Sequence, residues 1–522
     1  MSESKKKFLV HGGILAIAGI LVRIIGMFYR IPLVNIIGGE GNGIYSVAYN
    51  IYNIMLVLSA YGMPMAVSKL ISARFAKRQY KNASQIFRCS MIFAVISGGI
   101  AALLLYFGAD LIESAYKGLP GLAIPLRILA PTIFLVAVMG VMRGFYQGQG
   151  TMIPTAVSQL VEQVINAIVS VAAAYVLVKM YKATADEAAY GAAGGTLGTC
   201  MGAMAGLLFL VIIYAIYKPA FSKMVRGDKT RSEKLETGYV YKVIGLTMLP
   251  IILSQTLYHI CSVVDDMMYS NIMAGVLTHD VIKTNLGTYS TCYVLLVGIP
   301  QGIASAMSSS MLPSVVTSYT NRDIRNVRSK IASTIKTNMI IAMPSFVGLF
   351  VLGQPIIKLL FSSYDSVQGS MMLKMGAVSV VFYTLSTVTS SALQGIDKMS
   401  VPVKNAGISV AVHIVLVFIL LKFTGLDIYA VVIGNATFPV LTFILNMISL
   451  NKYIGYRQEF VNTFGVTALS AVIMGIATYF MYRFAYFISE NNFISVVLAM
   501  LTAVLAYFGP LYIISKNTKR FL

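Results

Sequence analysis

Charge is what this chain has least of. Only 11% of its 522 residues are Asp, Glu, Lys or Arg, where a soluble domain carries about 25%. With 57% hydrophobic residues and a mean hydropathy of +0.78, a soluble fold would expose apolar surface throughout, which leaves a polytopic membrane protein. Acidic residues are scarcer still, 19 against 40 Lys plus Arg, for a formal net charge of +21. That excess does not point to nucleic acid, because membrane proteins collect Lys and Arg in cytoplasmic loops whatever their function. Cysteine is rare: Cys89, Cys200, Cys261 and Cys292 make no CxxC pair and no metal-ligand spacing, and read as packing residues.

Further absences exclude enzyme classes. No A-x-A cleavage pattern follows "MSESKKKFLVHGGILAIAGI", so the apolar run to about Ile37 is expected to be a retained first helix. No loop between apolar runs exceeds about 20 residues, which leaves no room for a soluble catalytic domain. The chain has no Gly-rich phosphate loop, nucleophile elbow or metal-spaced His set. The pair Asp265–Asp266 resembles a diphosphate-metal motif of membrane prenyltransferases but lacks a second acidic cluster. The expectation is a protein that is not an enzyme and needs no cofactor or metal.

What is present is a series of long apolar runs. A bilayer core of about 30 Å takes roughly 20 residues of helix, and fourteen runs qualify: 8–37, 44–73, 85–109, 123–148, 154–179, 190–217, 240–271, 286–313, 330–353, 371–395, 400–422, 428–450, 461–486 and 493–515. The short "IIKLLF" in 354–370 is read as interfacial. With a cytoplasmic N-terminus, twenty-eight of the forty Lys and Arg fall in cytoplasmic loops and nine on the opposite side, alternating loop by loop. Arg143 is counted in one of those cytoplasmic loops. Both termini are therefore expected in the cytoplasm.

The chain is also internally duplicated. "GIYSVAY" at Gly43–Tyr49 matches "GTYSTCY" at Gly287–Tyr293, 244 residues on. "QGQGTMIP" at Gln147–Pro154 matches "QGIDKMSVP" at Gln394–Pro402, 247 residues on. The offset equates span 1 with span 7, so the repeats keep one orientation. The predicted fold class is all-α: fourteen transmembrane helices, in two pseudo-symmetric six-helix lobes (1–237 and 238–450) plus two C-terminal helices (451–522).

Ionisable residues at bilayer depth are costly and mark candidate sites. Arg23 lies about 15 residues into span 1, roughly 22 Å deep, and Arg30 two turns further on the same face. Gly26 thins the helix between them, and Pro32 predicts a kink near 29–32. The pair is either structural, with Arg30 reaching the surface and Arg23 salt-bridged, or the cationic wall of a cavity, where guanidinium forks suit phosphate oxygens. Lys69 either joins that cavity or reaches the headgroups. Glu162 is either a counter-ion to an arginine or a protonatable coupling group. Asp265 and Asp266 either end span 7 in water, or form a cation or proton site or a latch to Arg30. His259 is a weaker candidate.

The segment Phe28–Ser72, "FYRIPLVNIIGGEGNGIYSVAYNIYNIMLVLSAYGMPMAVSKLIS", resembles the polysaccharide-biosynthesis branch of the MOP flippase superfamily, and within it the Gram-positive group of stage V sporulation protein B and YtgP-type MurJ lipid II flippases. "ARFAKRQYKNASQIFR", "GFYQGQGTMIPTAVSQLVEQ" and the fourteen-span layout fit the same group. The resemblance implies two lobes in a V, a lipid-facing groove made by spans 13 and 14, and export of an undecaprenyl-diphosphate-linked sugar. It implies that Arg23 and Arg30 face a cationic central cavity. Some members carry further arginines in spans 2 and 8, where this chain has only Lys69. Others resemble sodium-coupled carriers with ligands in spans 7, 11 and 12, where this chain offers Asn405 and Asn435 but no mid-span acid.

The expected function is therefore a flippase that binds a lipid-linked sugar diphosphate through Arg23, Arg30 and Lys69 and works by alternating access as a monomer. Na+ or H+ is the expected coupling ion if one is used, with Glu162, Asp265 and Asp266 as coupling or counter-ion residues. A multidrug or cation antiporter of the same superfold is the alternative, although two arginines against one Glu162 oppose it. The glycan stays open among lipid II, a spore cortex precursor, and a teichoic or capsular unit.

Overall fold

The computed structural model describes the backbone of residues 3–60, 62–230 and 235–518, and their side chains apart from 3–17, 250, 251, 254, 257, 258, 462 and 513–518. Arg231, Lys234, Lys519 and Arg520, which enter the loop charge count, lie outside the described residues, as do the side chains of Lys5, Lys6, Lys7 and Lys516. Among the described residues there is no strand, and sixteen α-helices carry the fold.

The first compact unit is Met1–Thr284. It contains α1 (Glu3–Ser59), α2 (Met63–Ala76), α3 (Tyr80–Ala115), α4 (Ala123–Gly148), α5 (Ile153–Met180), α6 (Glu187–Arg226) and α7 (Thr237–Met273). α1 is continuous through Pro32, where a kink was expected, and breaks instead at Gly38 (φ 67°, ψ −175°). A proline removes one backbone donor and can be absorbed inside a helix, whereas that backbone conformation is open essentially to glycine alone.

α5 and α6 pack along a small-residue stripe. Gly194, Gly198, Gly202 and Gly206 recur every fourth residue on α6, and they face Ala174, Ser170, Asn166 and Glu162, spaced identically on α5. A Cβ at Gly202 would lie 2.5 Å from the Glu162 carbonyl oxygen. Glycine lets the two backbones meet, and dispersion contacts then hold helices that lipid cannot drive together. On the other side, Phe145 of α4 lies 4.5 Å from Phe87 and 5.2 Å from Phe221 between ring centroids.

By contact, α7 lies within this first unit. Hydrogen bonds explain why. Tyr116 Oη donates to Val263 O (3.2 Å), the Gly118 N–H to Ser270 Oγ (3.0 Å) and the Lys117 N–H to Asn271 Oδ1 (2.9 Å).

The second unit is Asn285–Leu522. α8 (His279–Thr288) leads through a π-helical stretch, Tyr289–Leu295, into α9 (Leu296–Thr320). α10 (Ile324–Leu360), α11 (Ser366–Gly376), α12 (Ser379–Gly395), α13 (Ser400–Phe423) and α14 (Ile428–Ile454) follow, with α15 (Val466–Ser489) and α16 (Asn492–Thr518) after a second π turn. The "IIKLLF" run is not a separate interfacial piece, because its first five residues complete α10. α15 and α16 pack on each other and on α10, where Gly475 lets Val347 approach.

Among the described residues, eleven helical stretches are long and apolar enough to cross a membrane, or twelve if the bent pair α11–α12 is one span. The first of them, Ala18–Ala76, contains residues 18–37 of the run read from sequence as span 1 and all of span 2, and Thr237–Met273, whose side chains are described only in part, is not among them. The count reaches fourteen only if the first stretch is two spans and α7 another.

The duplication is visible in the turns. Between α2 and α3, the N–H groups of Arg78 and Gln79 donate to Phe75 O (3.0 Å) and Arg74 O (2.9 Å); between α9 and α10, those of Arg322 and Asp323 donate to Tyr319 O (2.9 Å) and Ser318 O (3.0 Å). Each partner is displaced by 244 residues. Between α4 and α5, Gly150 and Thr151 donate to Gln147 O (2.9 Å) and Tyr146 O (3.2 Å); between α12 and α13, Asp397 and Lys398 donate to Gln394 O (3.1 Å) and Leu393 O (3.0 Å). Those partners are displaced by 247.

Candidate functional site

Arg30 and Tyr49 are 19 residues apart, which in an unbroken helix is about 28 Å. The Arg30 guanidinium carbon nevertheless lies 5.9 Å from the Tyr49 ring centroid, because the chain folds back at Gly38. Tyr45, Tyr49 and Tyr52 fall on successive turns after the break, with ring centroids 5.4 Å and 5.5 Å apart. Their spacing of four and three residues puts them on one face. The repeat keeps the arrangement, with Tyr289 and Tyr293 at 5.5 Å.

Tyr29 and Tyr45 also flank the half-buried Arg30. The buried Tyr45 hydroxyl lies beside that guanidinium. Among the described residues, no carboxylate lies at ion-pair distance from Arg30. A desolvated cation over an aromatic face is stabilised by about 2 kcal/mol.

Arg23 sits in a different environment. It is exposed, amid exposed Ile20, Leu21, Ile24 and Phe28. Gly26 does thin the helix between the two arginines: a Cβ there would lie 3.2 Å from Gln163 Nε2 of α5. Lys69 is exposed on α2.

Glu162 serves another arginine. Its Oε2 accepts from Arg143 Nη2 at 2.7 Å, and Arg143 Nε donates to Ser158 Oγ at 3.0 Å. Arg143, counted as a loop residue from sequence, lies inside α4. The Gly202–Gly206 stretch presses on Glu162 from α6 and leaves its carboxylate facing α4.

Asp265 and Asp266 do not end α7 in water: both are buried, and α7 continues to Met273. Asp266 Oδ2 accepts from Asn50 Nδ2 at 2.8 Å, so its partner on α1 is an amide and not Arg30. His259 is half-buried on α7. In the second unit the amides are committed to structure. Asn405 Nδ2 donates to Asn446 Oδ1 at 2.9 Å, and Asn446 Nδ2 donates to Ser390 Oγ at 2.9 Å. Asn435 Oδ1 lies 3.0 Å from Tyr293 Oη. The residues that sequence reasoning missed are Arg143, Asn50 and the tyrosine series. The G-x-Y-S-x-x-Y repeat was the available signal for the tyrosines.

The polysaccharide biosynthesis protein family matches residues 9–318, and the MatE family matches residues 250–419. The lipid II flippase MurJ of Bacillus subtilis (strain 168) is 26% identical over 480 residues, spanning 89% of this chain and 86% of that protein. Stage V sporulation protein B of the same organism is 24% identical, over 90% of this chain and 89% of that protein. Among solved structures, lipid II flippase MurJ in an inward closed conformation aligns with a TM-score of 0.69 at 17% identity, covering 97% of this chain and 99% of that one. An inward-facing multidrug resistance MATE family transporter aligns at 0.65 and 17%, covering 83% and 94%. The chain is thus a multi-pass membrane protein of the polysaccharide biosynthesis protein family.

Proposed function

We propose that this protein is a flippase that carries an undecaprenyl-diphosphate-linked sugar across the bacterial plasma membrane by alternating access, without covalent chemistry. The observation that supports this best is Arg30: a half-buried guanidinium held by tyrosine rings, with no carboxylate at ion-pair distance among the described residues. A diphosphate meets such a fork with charge-assisted, bidentate hydrogen bonds. Glu162 does not compete for it, because its carboxylate is engaged by Arg143. Arg23 and Lys69, both exposed, guide the anionic headgroup toward Arg30. In this reading the lobes are 1–237 and 238–450, helices 451–522 hold the lipid tail, and both termini are cytoplasmic.

Coupling is assigned to the Asp265–Asp266 pair, which takes up a proton or Na+ where Asn50 holds Asp266. The name of one Bacillus subtilis relative, lipid II flippase MurJ, supports the lipid-linked substrate class. The test is a vesicle assay following lipid II from one leaflet to the other. Arg30→Ala is expected to lower the rate at least tenfold, since one charge-assisted hydrogen bond contributes about 1.5–3 kcal/mol, and Arg30→Lys to recover part of it. Unchanged flipping by correctly folded Arg30→Ala protein would remove Arg30 from the mechanism.

A further inference from the structure

A cavity of about 700 Å³ opens in the second unit, where the α9–α10 turn faces the α12–α13 turn. Tyr319, Thr320, Arg322, Gln394, Asp397 and Met399 line it. Its volume is in the range of small-molecule sites. Two of its lining residues hold left-handed backbone: Arg322 (φ 57°) and Asp397 (φ 60°). Non-glycine residues adopt that conformation uncommonly, and such outliers gather at functional sites.

The duplication supplies an internal control. The position equivalent to Asp397, 247 residues earlier, is Gly150, with φ 84°. The first unit builds the same turn, with the same two hydrogen bonds, from a residue that adopts this backbone without strain. The turn therefore does not require an aspartate, although aspartate is among the few non-glycine residues that adopt this backbone. The equivalent of Arg322 is Arg78, φ 55°, so that arginine alone is explained by the turn.

The lining decides the ligand class. A carboxylate and a guanidinium at one mouth disfavour a purely anionic and a purely cationic ligand alike. A neutral polyhydroxylated ligand suits both, because vicinal hydroxyls donate to Asp397 and accept from Arg322 and Gln394. Tyr319 adds an aromatic face for the apolar side of a sugar ring. We infer that this cavity is a carbohydrate-binding vestibule, which receives the glycan of the lipid-linked substrate apart from its diphosphate. It rests on the flippase reading for the source of the glycan, and on its own geometry for the binding.

The chain contains no tryptophan, so Tyr319→Trp places a single reporter in the cavity with no background. In detergent-solubilised full-length protein, the β-1,4-linked N-acetylglucosamine disaccharide is expected to shift its emission saturably at millimolar concentration. Asp397→Gly in that background is expected to weaken binding at least tenfold with an unchanged or raised melting temperature, while Arg78→Gly leaves binding unchanged. Saturation-transfer NMR on the unmodified chain repeats the titration without the tryptophan. No saturable response in either measurement, undiminished binding by Asp397→Gly, or inorganic pyrophosphate binding as tightly as the disaccharide overturns the vestibule. Flipping by Arg30→Ala separates the two proposals: loss there with no disaccharide binding ends the vestibule alone, and normal flipping there with disaccharide binding ends the arginine mechanism alone.

Discussion

Arg143 of α4 and Glu162 of α5 meet at 2.7 Å across the four-residue turn that joins their helices. Both are largely withdrawn from solvent, with side chains 13% and 28% exposed. Removing one partner strands the other charge at low dielectric, which for buried pairs costs about 3–5 kcal/mol. Glu162→Gln and Arg143→Met are each expected to lower the melting temperature of the purified protein, and the double variant to lose less than the two single losses added. Simple additivity in that cycle would mean the pair contributes nothing by its contact.

The Arg30–Tyr49 geometry makes a separate prediction. On the proposed flippase function, Tyr49→Phe keeps the ring face and is expected to move a lipid-linked sugar diphosphate nearly as the parent does. Tyr49→Leu removes the quadrupole, and the loss of about 1–2 kcal/mol is expected to slow flipping roughly tenfold. Equal impairment of both variants would shift the support for Arg30 from the ring to the hydroxyl.

Outside the membrane spans, Asp228 caps α3 from a distant loop. Its Oδ2 accepts from the Lys81 N–H at 2.9 Å, and its Oδ1 from the Thr230 N–H at 2.9 Å. The Lys81 bond, followed by those from Thr230, lowers its pKa to about 2. The unfolded value is about 3.9. A depressed carboxylate stabilises the fold above the unfolded pKa, and that contribution is lost as pH falls through the folded value. Asp228→Ala is expected to cost about 1 kcal/mol at pH 6, as lost caps do. The gap between parent and variant melting temperatures should then close between about pH 4 and pH 2; a gap that stays constant over that range would show that the charge is irrelevant.

Two glycines of similar sequence context should behave oppositely. A Cβ on Gly198 would collide with Ser170 and with the Asn166 carbonyl, whereas one on Gly99 of α3 meets nothing within 4 Å. Gly198→Ala is expected to destabilise by about 1–3 kcal/mol through overpacking, and Gly99→Ala to be neutral or to stabilise by up to about 1 kcal/mol through helix propensity. Thermal unfolding in detergent separates the two, and equal effects would mean that the α5–α6 contact is looser than the geometry implies.

Much of the architecture was legible in the chain because it is written in local terms. Apolar length, loop charge and the G-x-Y-S-x-x-Y and Q-G repeats each concern neighbours in sequence, and the turns after Phe75 and Tyr319 carry the duplication into hydrogen bonds at the same offsets. The site was legible only as a list of costly residues. Arg30, Glu162 and Asp266 were conspicuous because charge at bilayer depth is expensive. Their partners were not, because Tyr49, Arg143 and Asn50 lie 19, 19 and 216 residues away, and periodicity says nothing about which helix faces which.

The sequence alone decides the solvent, the helical class and the duplication, since these follow from how many apolar residues run together and how often a pattern returns. Only the tertiary structure decides that Pro32 is absorbed while Gly38 breaks α1, that Asp265 and Asp266 are buried, and that Glu162 neutralises Arg143 and leaves Arg30 to the tyrosines. Those outcomes depend on which backbones can approach. The glycine stripe of α6 and the fold-back of α1 set that approach through contacts between residues distant in sequence.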